Sequence, residues 1–258
     1  MAKAPRGPGK RRRKLPLVLG VGVAAIVVVF LLVYFVIFPT SSPKPFKLAA
    51  TNTTTSTSTG TGPSTATSTP AGSSASSATL AGTWKIAAGS QAGYRVREKL
   101  AFLPAQSDAV GRTSSVTGEA KFSSSAGAVT ISSASFDVAV NTLKSDRSMR
   151  DEKIRSIGLE SERFPTATFT LSSPVKVPSS ALSGQVAHTS VTGVFDIHGV
   201  SRKETVPLEL SVSGSTVQAA GSLTFPWSEF GMTAPSVGGF VNVTEHATME
   251  FDLRLAHA

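Results

Sequence analysis

Along residues 80–258 apolar and polar side chains alternate with a period of two. Val206, Leu208, Leu210 and Val212 are separated by Pro207, Glu209 and Ser211. Met249, Phe251, Leu253 and Leu255 alternate in the same way with Glu250, Asp252 and Arg254. Val191, Gly193, Phe195 and Ile197 make a third set, and Phe136, Val138 and Val140 a fourth. Such alternation turns one face of a strand to an apolar interior and the other to water. Further strands are predicted near 92–102, 113–122, 166–172 and 217–225. His198-Gly199 and Ser213-Gly214-Ser215 divide alternating runs at hairpin-like intervals. Only Ser145 to Ile157 breaks the pattern. It is rich in charge, carries Met149, Ile154 and Ile157, and is followed by Gly158. That predicts an amphipathic helix with a glycine stop. Repeated strands with one short helical insertion predict a mainly β fold, an antiparallel sheet closed into a barrel of about eight strands. The interior of a barrel that size is either filled by side chains or holds one ligand.

Upstream the pattern is different. Leu15 to Phe38 is a 24-residue stretch without a charged side chain, preceded by seven Lys/Arg and no acid. As a helix it would be about 36 Å long, enough to span a bilayer with some tilt. The basic segment 1–14 favours a cytoplasmic N-terminus and an extracytoplasmic C-terminal domain. A cleavable signal peptide is the rival reading, but its apolar region is about 7–15 residues long. Here Pro39-Thr40-Ser41 offers no convincing cleavage site and Leu48-Ala49-Ala50 only a weak one, so a retained transmembrane helix over 15–38 is expected. Residues 39–79 are dominated by Ser, Thr, Ala, Gly and Pro, and read as a disordered linker that cannot bury enough apolar surface to order itself. The globular domain is then 80–258.

The formal charge of +9 does not indicate nucleic acid. Nine of the 25 Lys/Arg precede residue 80, and the remaining 16 share 80–258 with all 16 Asp/Glu. Phosphate binding calls for a net basic footprint, which the domain lacks. The chain has no cysteine, which removes disulfides, thiolate chemistry and a lipid-modified N-terminal Cys. Its four histidines, His188, His198, His246 and His257, have no zinc-site spacing. His198 reads as a turn residue and His257 as part of a disordered terminal tail. No G-x-S-x-G elbow occurs in a strand–turn–helix context. Asp146, Arg147, Arg150, Asp151 and Glu152 read as a solvated helix face with intrahelical ion pairs, a subset bracing the barrel opening. No catalytic residue, metal ligand or cofactor site is expected, and the chain does not read as an enzyme.

Gly93-Tyr94-Arg95-Val96-Arg97-Glu98 resembles the opening strand of the YceI-like family. The helix from Asp146-Arg147 to Arg150-Asp151, followed by Glu162-Arg163-Phe164-Pro165-Thr166-Ala167-Thr168-Phe169, is similar to its most recognisable block. Thr192-Gly193 through Ile197-His198-Gly199-Val200, with Val206-Pro207-Leu208, matches a third, and Trp227 to Gly231 with 247–255 fits the tail. The resemblance covers about 80–258. It implies a lipocalin-like antiparallel barrel whose apolar pore binds a long polyisoprenoid chain, in an exported or periplasmic protein. The chain departs from the common pattern at Gly89-Ser90 and Val96-Arg97-Glu98, where many members carry histidine, so no headgroup contact of those histidines is carried over.

On that resemblance the candidate lipid-binding residues are the inward positions Tyr94, Phe136, Val138, Phe169, Phe195, Leu208, Leu210, Phe225, Met249 and Phe251. Periodicity alone does not distinguish a hollow interior from one packed with these side chains. Small residues on strand faces, Gly118, Ala120, Gly193 and Gly221, are read as leaving room. The leading expectation is a membrane-anchored carrier or reservoir for an isoprenoid lipid of polyprenyl or quinone type. A solid barrel serving as an anchored interaction module is the alternative, and an envelope-lipid enzyme a distant third. The oligomeric state is left open, a dimer included.

Overall fold

The alternating runs become strands. A computed structural model describes residues 42–49, 80–100, 106–237 and 241–258. The expected membrane span, 15–38, and all of the expected linker except 42–49 lie outside the described residues. Among those described, no helix is long and apolar enough to cross a membrane. Pro43–Ala258 form one unit.

Among the described residues there are twelve strands: β1 Gly82–Ile86, β2 Gln91–Leu100, β3 Gln106–Thr113, β4 Val116–Ser125, β5 Ala128–Ala139 and β6 Thr166–Leu171. They continue as β7 Val175–Lys176, β8 Ala187–Ile197, β9 Val200–Ser213, β10 Thr216–Pro226, β11 Ser236–Val237 and β12 Val241–His257. Neighbours run β1-β4-β5-β6-β8-β9-β10-β12, and β12 pairs back onto β1 to close a ring of eight. All pairings are antiparallel, as expected. β2 and β3 prolong the wall, because β12 meets β2 over Val241–Asp252 and β1 over Leu255–His257. β1 and β2 therefore lie end to end along one long partner.

Two tight hairpins show why the chain turns where it does. Ala126-Gly127 (φ 51° and 78°) and His198-Gly199 (φ 57° and 70°) both place two successive residues at positive φ. This matches the right-handed twist of the flanking strands. His198 is thus a turn residue, and its ring is also held: Nδ1 lies 3.2 Å from the Phe230 carbonyl and Nε2 3.2 Å from Glu160.

Three expectations need correction. The strand expected over 113–122 is broken at Ser114-Ser115, where β3 gives way to β4. The helix, α1, spans Ser148–Ser156, and Ile154 is its buried apolar residue. Met149 is 71% exposed and Ile157 40%. Five residues carry Met149 about 140° around the helix from Ile154, and Ile157 already has extended backbone (φ −138°, ψ 157°). Gly158 follows at φ 75°, as its predicted stop role requires.

The third correction concerns His257, which is no loose tail. Register sets it opposite Trp84, with ring centroids 5.3 Å apart, and its Nε2 lies 3.3 Å from the Ala81 carbonyl. Trp84 is 1% exposed, packs edge-on to Phe122 and donates its indole N–H to the Leu80 carbonyl at 2.9 Å. Leu80, Trp84 and Phe122 form an apolar floor at this end of the barrel.

Candidate functional site

The inward positions of the strands enclose a cavity of about 170 Å³ with no charged side chain on its wall. All ten positions singled out from sequence line it. They come from β2, β5, β6, β8, β9, β10 and β12, brought together by closure of the sheet. Phe136 and Phe169 lie nearly parallel, centroids 6.4 Å apart, and Phe169 meets Phe195 at 4.8 Å. An apolar engineered cavity of similar size stays dry and takes up benzene, so this space suits hydrocarbon.

The glycines do not leave empty niches, contrary to expectation. A Cβ on Gly193 would sit 2.1 Å from the Phe169 ring, and one on Gly221 2.7 Å from the Phe251 ring. At Gly111 it would meet Tyr94 at 2.3 Å, and at Gly118 it would meet Phe136 at 2.9 Å. Three of these rings belong to direct cross-strand partners: Gly221↔Phe251, Gly111↔Tyr94 and Gly118↔Phe136. Each glycine lets a ring lie close against the wall where any side chain would push it inward. The aromatic residues line the bore without spanning it.

Sequence reasoning missed the cover. Leu143, Ile154 and Leu159, on α1 and its flanks, close over the cavity, and Trp227 and Met232 add to it. The apolar content of 143–159 was a visible signal, but its point of contact was not.

A polar cluster sits beside this cover. Glu98 faces inward two positions beyond Val96, and is 6% exposed. Arg150 of α1 reaches it with an Nη2–Oε1 distance of 2.6 Å. Arg150 Nη1 pairs with Asp146 and donates to Ser145 Oγ at 3.3 Å. Burial opposes the charge on Arg150, and Glu98 and Asp146 more than offset it, raising its pKa above the usual guanidinium value. The expected solvated helix face is thus only partly helical, since Asp146 and Arg147 precede α1, and the contact of Arg150 to Glu98 fastens α1 to the barrel. Asp151 accepts from Ser145 N–H (2.8 Å) and Oγ–H (2.6 Å), ordering the approach to the helix.

Two buried donors in this cluster make no full hydrogen bond among the described residues: the Tyr94 hydroxyl, which has Ser145 beside it, and Arg150 Nε–H. Burial pushes the Tyr94 hydroxyl well above its usual pKa, against the lowering effect of Arg150, so it stays protonated at neutral pH. A buried donor without an acceptor costs free energy. The site is thus a dry bore with two hydrogen-bond donors waiting beside its covered end.

No curated protein matches the chain. Among solved structures, a polyisoprenoid binding domain from Saccharophagus degradans implicated in plant cell wall breakdown is 16% identical, with a TM-score of 0.50. The match covers 69% of this chain and 99% of that one. BcnA of Burkholderia cenocepacia is 19% identical over 63% of this chain and 95% of its own, with a TM-score of 0.45. At 16% identity the likeness to the first of these speaks to fold alone. The family profile described as the YceI-like domain matches residues 84–255, from the floor tryptophan to the closing strand, and the chain belongs to the YceI-like family.

Proposed function

We propose that this protein is a membrane-anchored, extracytoplasmic carrier or reservoir for a long isoprenoid lipid, and that it does no chemistry on its cargo. The observation carrying this reading is the bore, charge-free and walled by rings held back over glycines. The similar domain from S. degradans is described as polyisoprenoid binding, which supports the same ligand class here. Each buried CH₂ is worth about 0.8 kcal/mol against water, so a five-carbon unit contributes roughly 3–4 kcal/mol. The competing bilayer is equally dry, so transfer between membrane and barrel is near balance, as a reversible carrier requires. An anchor over 15–38 would keep the barrel at the lipid supply and raise the effective concentration. To test this, the full chain is purified in detergent beside an Ala219→Trp variant with a blocked bore, and both are extracted for mass spectrometry. A prenyl lipid enriched in the wild type alone is expected; equal lipid content in both would sink the reading.

The two unpartnered donors indicate which end of the lipid lies where. Arg150 has already spent its outer nitrogens on Glu98, Asp146 and Ser145, and those carboxylates offset its charge. A phosphate would meet three acids, Glu98, Asp146 and Asp151, and the central cation, Arg150, is already engaged by two of them. The pair suits a neutral acceptor, such as the carbonyl of a quinone-type headgroup. Tyr94→Phe should weaken binding of a short-tailed ubiquinone by about 0.5–1.5 kcal/mol, roughly two- to tenfold, on the ordinary worth of one hydrogen bond. A hydrocarbon of the same tail length should bind the variant and wild type alike. Equal losses for both ligands in a displacement titration would rule out the assignment.

A further inference from the structure

On a barrel wall, outward side chains normally face water. Here several outward positions are buried, among them Glu250 on β12 and Ala220 on β10, each 1% exposed, and Val110 on β3, opposite Arg95. On the same face lies a stretch of the chain's own Ser/Thr-rich connection, Pro43–Leu48, held by the neighbours of these positions. Arg95 Nη2 donates to the Pro43 carbonyl at 2.7 Å, and Arg112 Nη2 to the Lys44 carbonyl at 2.5 Å. The Arg112 guanidinium lies 3.9 Å from the centroid of the Phe46 ring. The Leu48 N–H donates to Glu209 Oε2 at 2.7 Å.

The order of these contacts follows the order of strands. Pro43 and Lys44 meet β2 and β3, and Leu48 meets β9, with β12 and β10 between. Three strand spacings are about 14 Å, and five residue steps of extended chain about 17 Å. The segment therefore runs crosswise over the wall, adding no strand to the sheet. The wall beneath is built to receive it. Glu250, between Arg95 (3.2 Å) and Arg112 (3.0 Å), aims both guanidinium groups. Gly93 lies between Glu250 and Arg112 in register, and a Cβ there would come within 3.0 Å of Arg112 Cγ. Its missing side chain clears the path for that arginine. Ala220, flanked by Glu209 and Asp252, leaves a shallow place on the crossing line.

We propose that Pro43–Leu48 is an intramolecular latch, and that Arg95, Arg112, Glu250 and Glu209 form its seat. With the latch seated, only Pro39–Ser42 separates the apolar stretch from its attachment on the barrel, and residues 50–79 connect two points on the same domain. With the latch released, all of 39–79 becomes the connection. The maximum reach from Phe38 changes from about 18 Å to about 140 Å. The barrel thus has two operating radii, chosen by a contact made of two carbonyls, one N–H and one aromatic ring. The reach argument rests on the anchored reading above, but the latch itself does not.

Because the chain contains no cysteine, paired labels can be placed without background. The full chain in detergent carries spin labels at Lys47→Cys, on the solvent side of the segment, and Lys203→Cys, on the outer face of β9. The seated latch predicts a narrow distance distribution near 20 Å, from the six residues along β9 between the Lys203 label and Glu209, the seat of Leu48. Phe46→Ala, which removes only the ring packed on Arg112, should raise the unlatched fraction about tenfold and so broaden and lengthen the distribution. A wild-type distribution as broad as that of the variant would overturn the proposal. Since no membrane or lipid is needed, a failure here is separate from any failure of the carrier reading.

Discussion

Replacing Ala219 with tryptophan should abolish uptake of the proposed lipid while leaving the barrel folded. Ala219 lies on β10 between Leu210 of β9 and Leu253 of β12, faces inward and is 8% exposed. Its side chain lines the cavity. An indole there would occupy the space a terminal isoprene unit needs. Inserting bulk into a well-packed core costs about 1–3 kcal/mol and sometimes more, because neighbours are forced off their rotamers. Into an empty bore the same indole enters with little strain and gains burial. The variant therefore reads the interior directly: a small change in the urea midpoint with loss of extractable lipid indicates a bore. A fall beyond about 3 kcal/mol with lipid content unchanged would mean the interior was already full, and the anchored interaction module would become the better account.

The largest loss of stability should come from Trp84→Ala. The residue is 1% exposed and among the largest side chains buried completely. It joins β4 and the end of β12 through β1, with Ala120 on one side and His257 on the other. Deleting a buried Trp side chain typically costs 3–5 kcal/mol, from lost burial and the cavity left behind. The Leu80 carbonyl would also lose its donor. Part of Leu80 and Phe122 would then face a void that water can reach from the end of the barrel. Equilibrium urea unfolding of the full chain should show that loss as a lower midpoint; a change under 1 kcal/mol would mean that β1 is dispensable to closure.

Much of this architecture was legible because period-two alternation is a local property. Val206 to Val212 and Met249 to Leu255 declared their inner faces without any partner, and the ten interior candidates followed. Register is not local, and what depends on it stayed hidden. His257 looked like a tail because nothing in Leu255-Ala256-His257 reveals that β12 is long enough to serve two partners. Gly193 and Gly221 looked like empty places, since only the cross-strand alignment shows which ring occupies them. Arg150 and Glu98 are 52 residues apart, and the local charge pattern pointed only to partners within 146–152. The segment around Phe46 carried one faint signal, an aromatic residue in a polar tract, with no hint that Arg112 would meet it.

A packed floor has a consequence for traffic. With Leu80, Trp84 and Phe122 packed together at one extremity, the proposed lipid would arrive and depart at the other. If the oxygen-bearing terminus rests beside Tyr94, the tail goes in first and comes out last. Any recipient must then grasp the headgroup while the hydrocarbon is still sheathed, so delivery would depend on a recipient docked at that extremity and not on release into water.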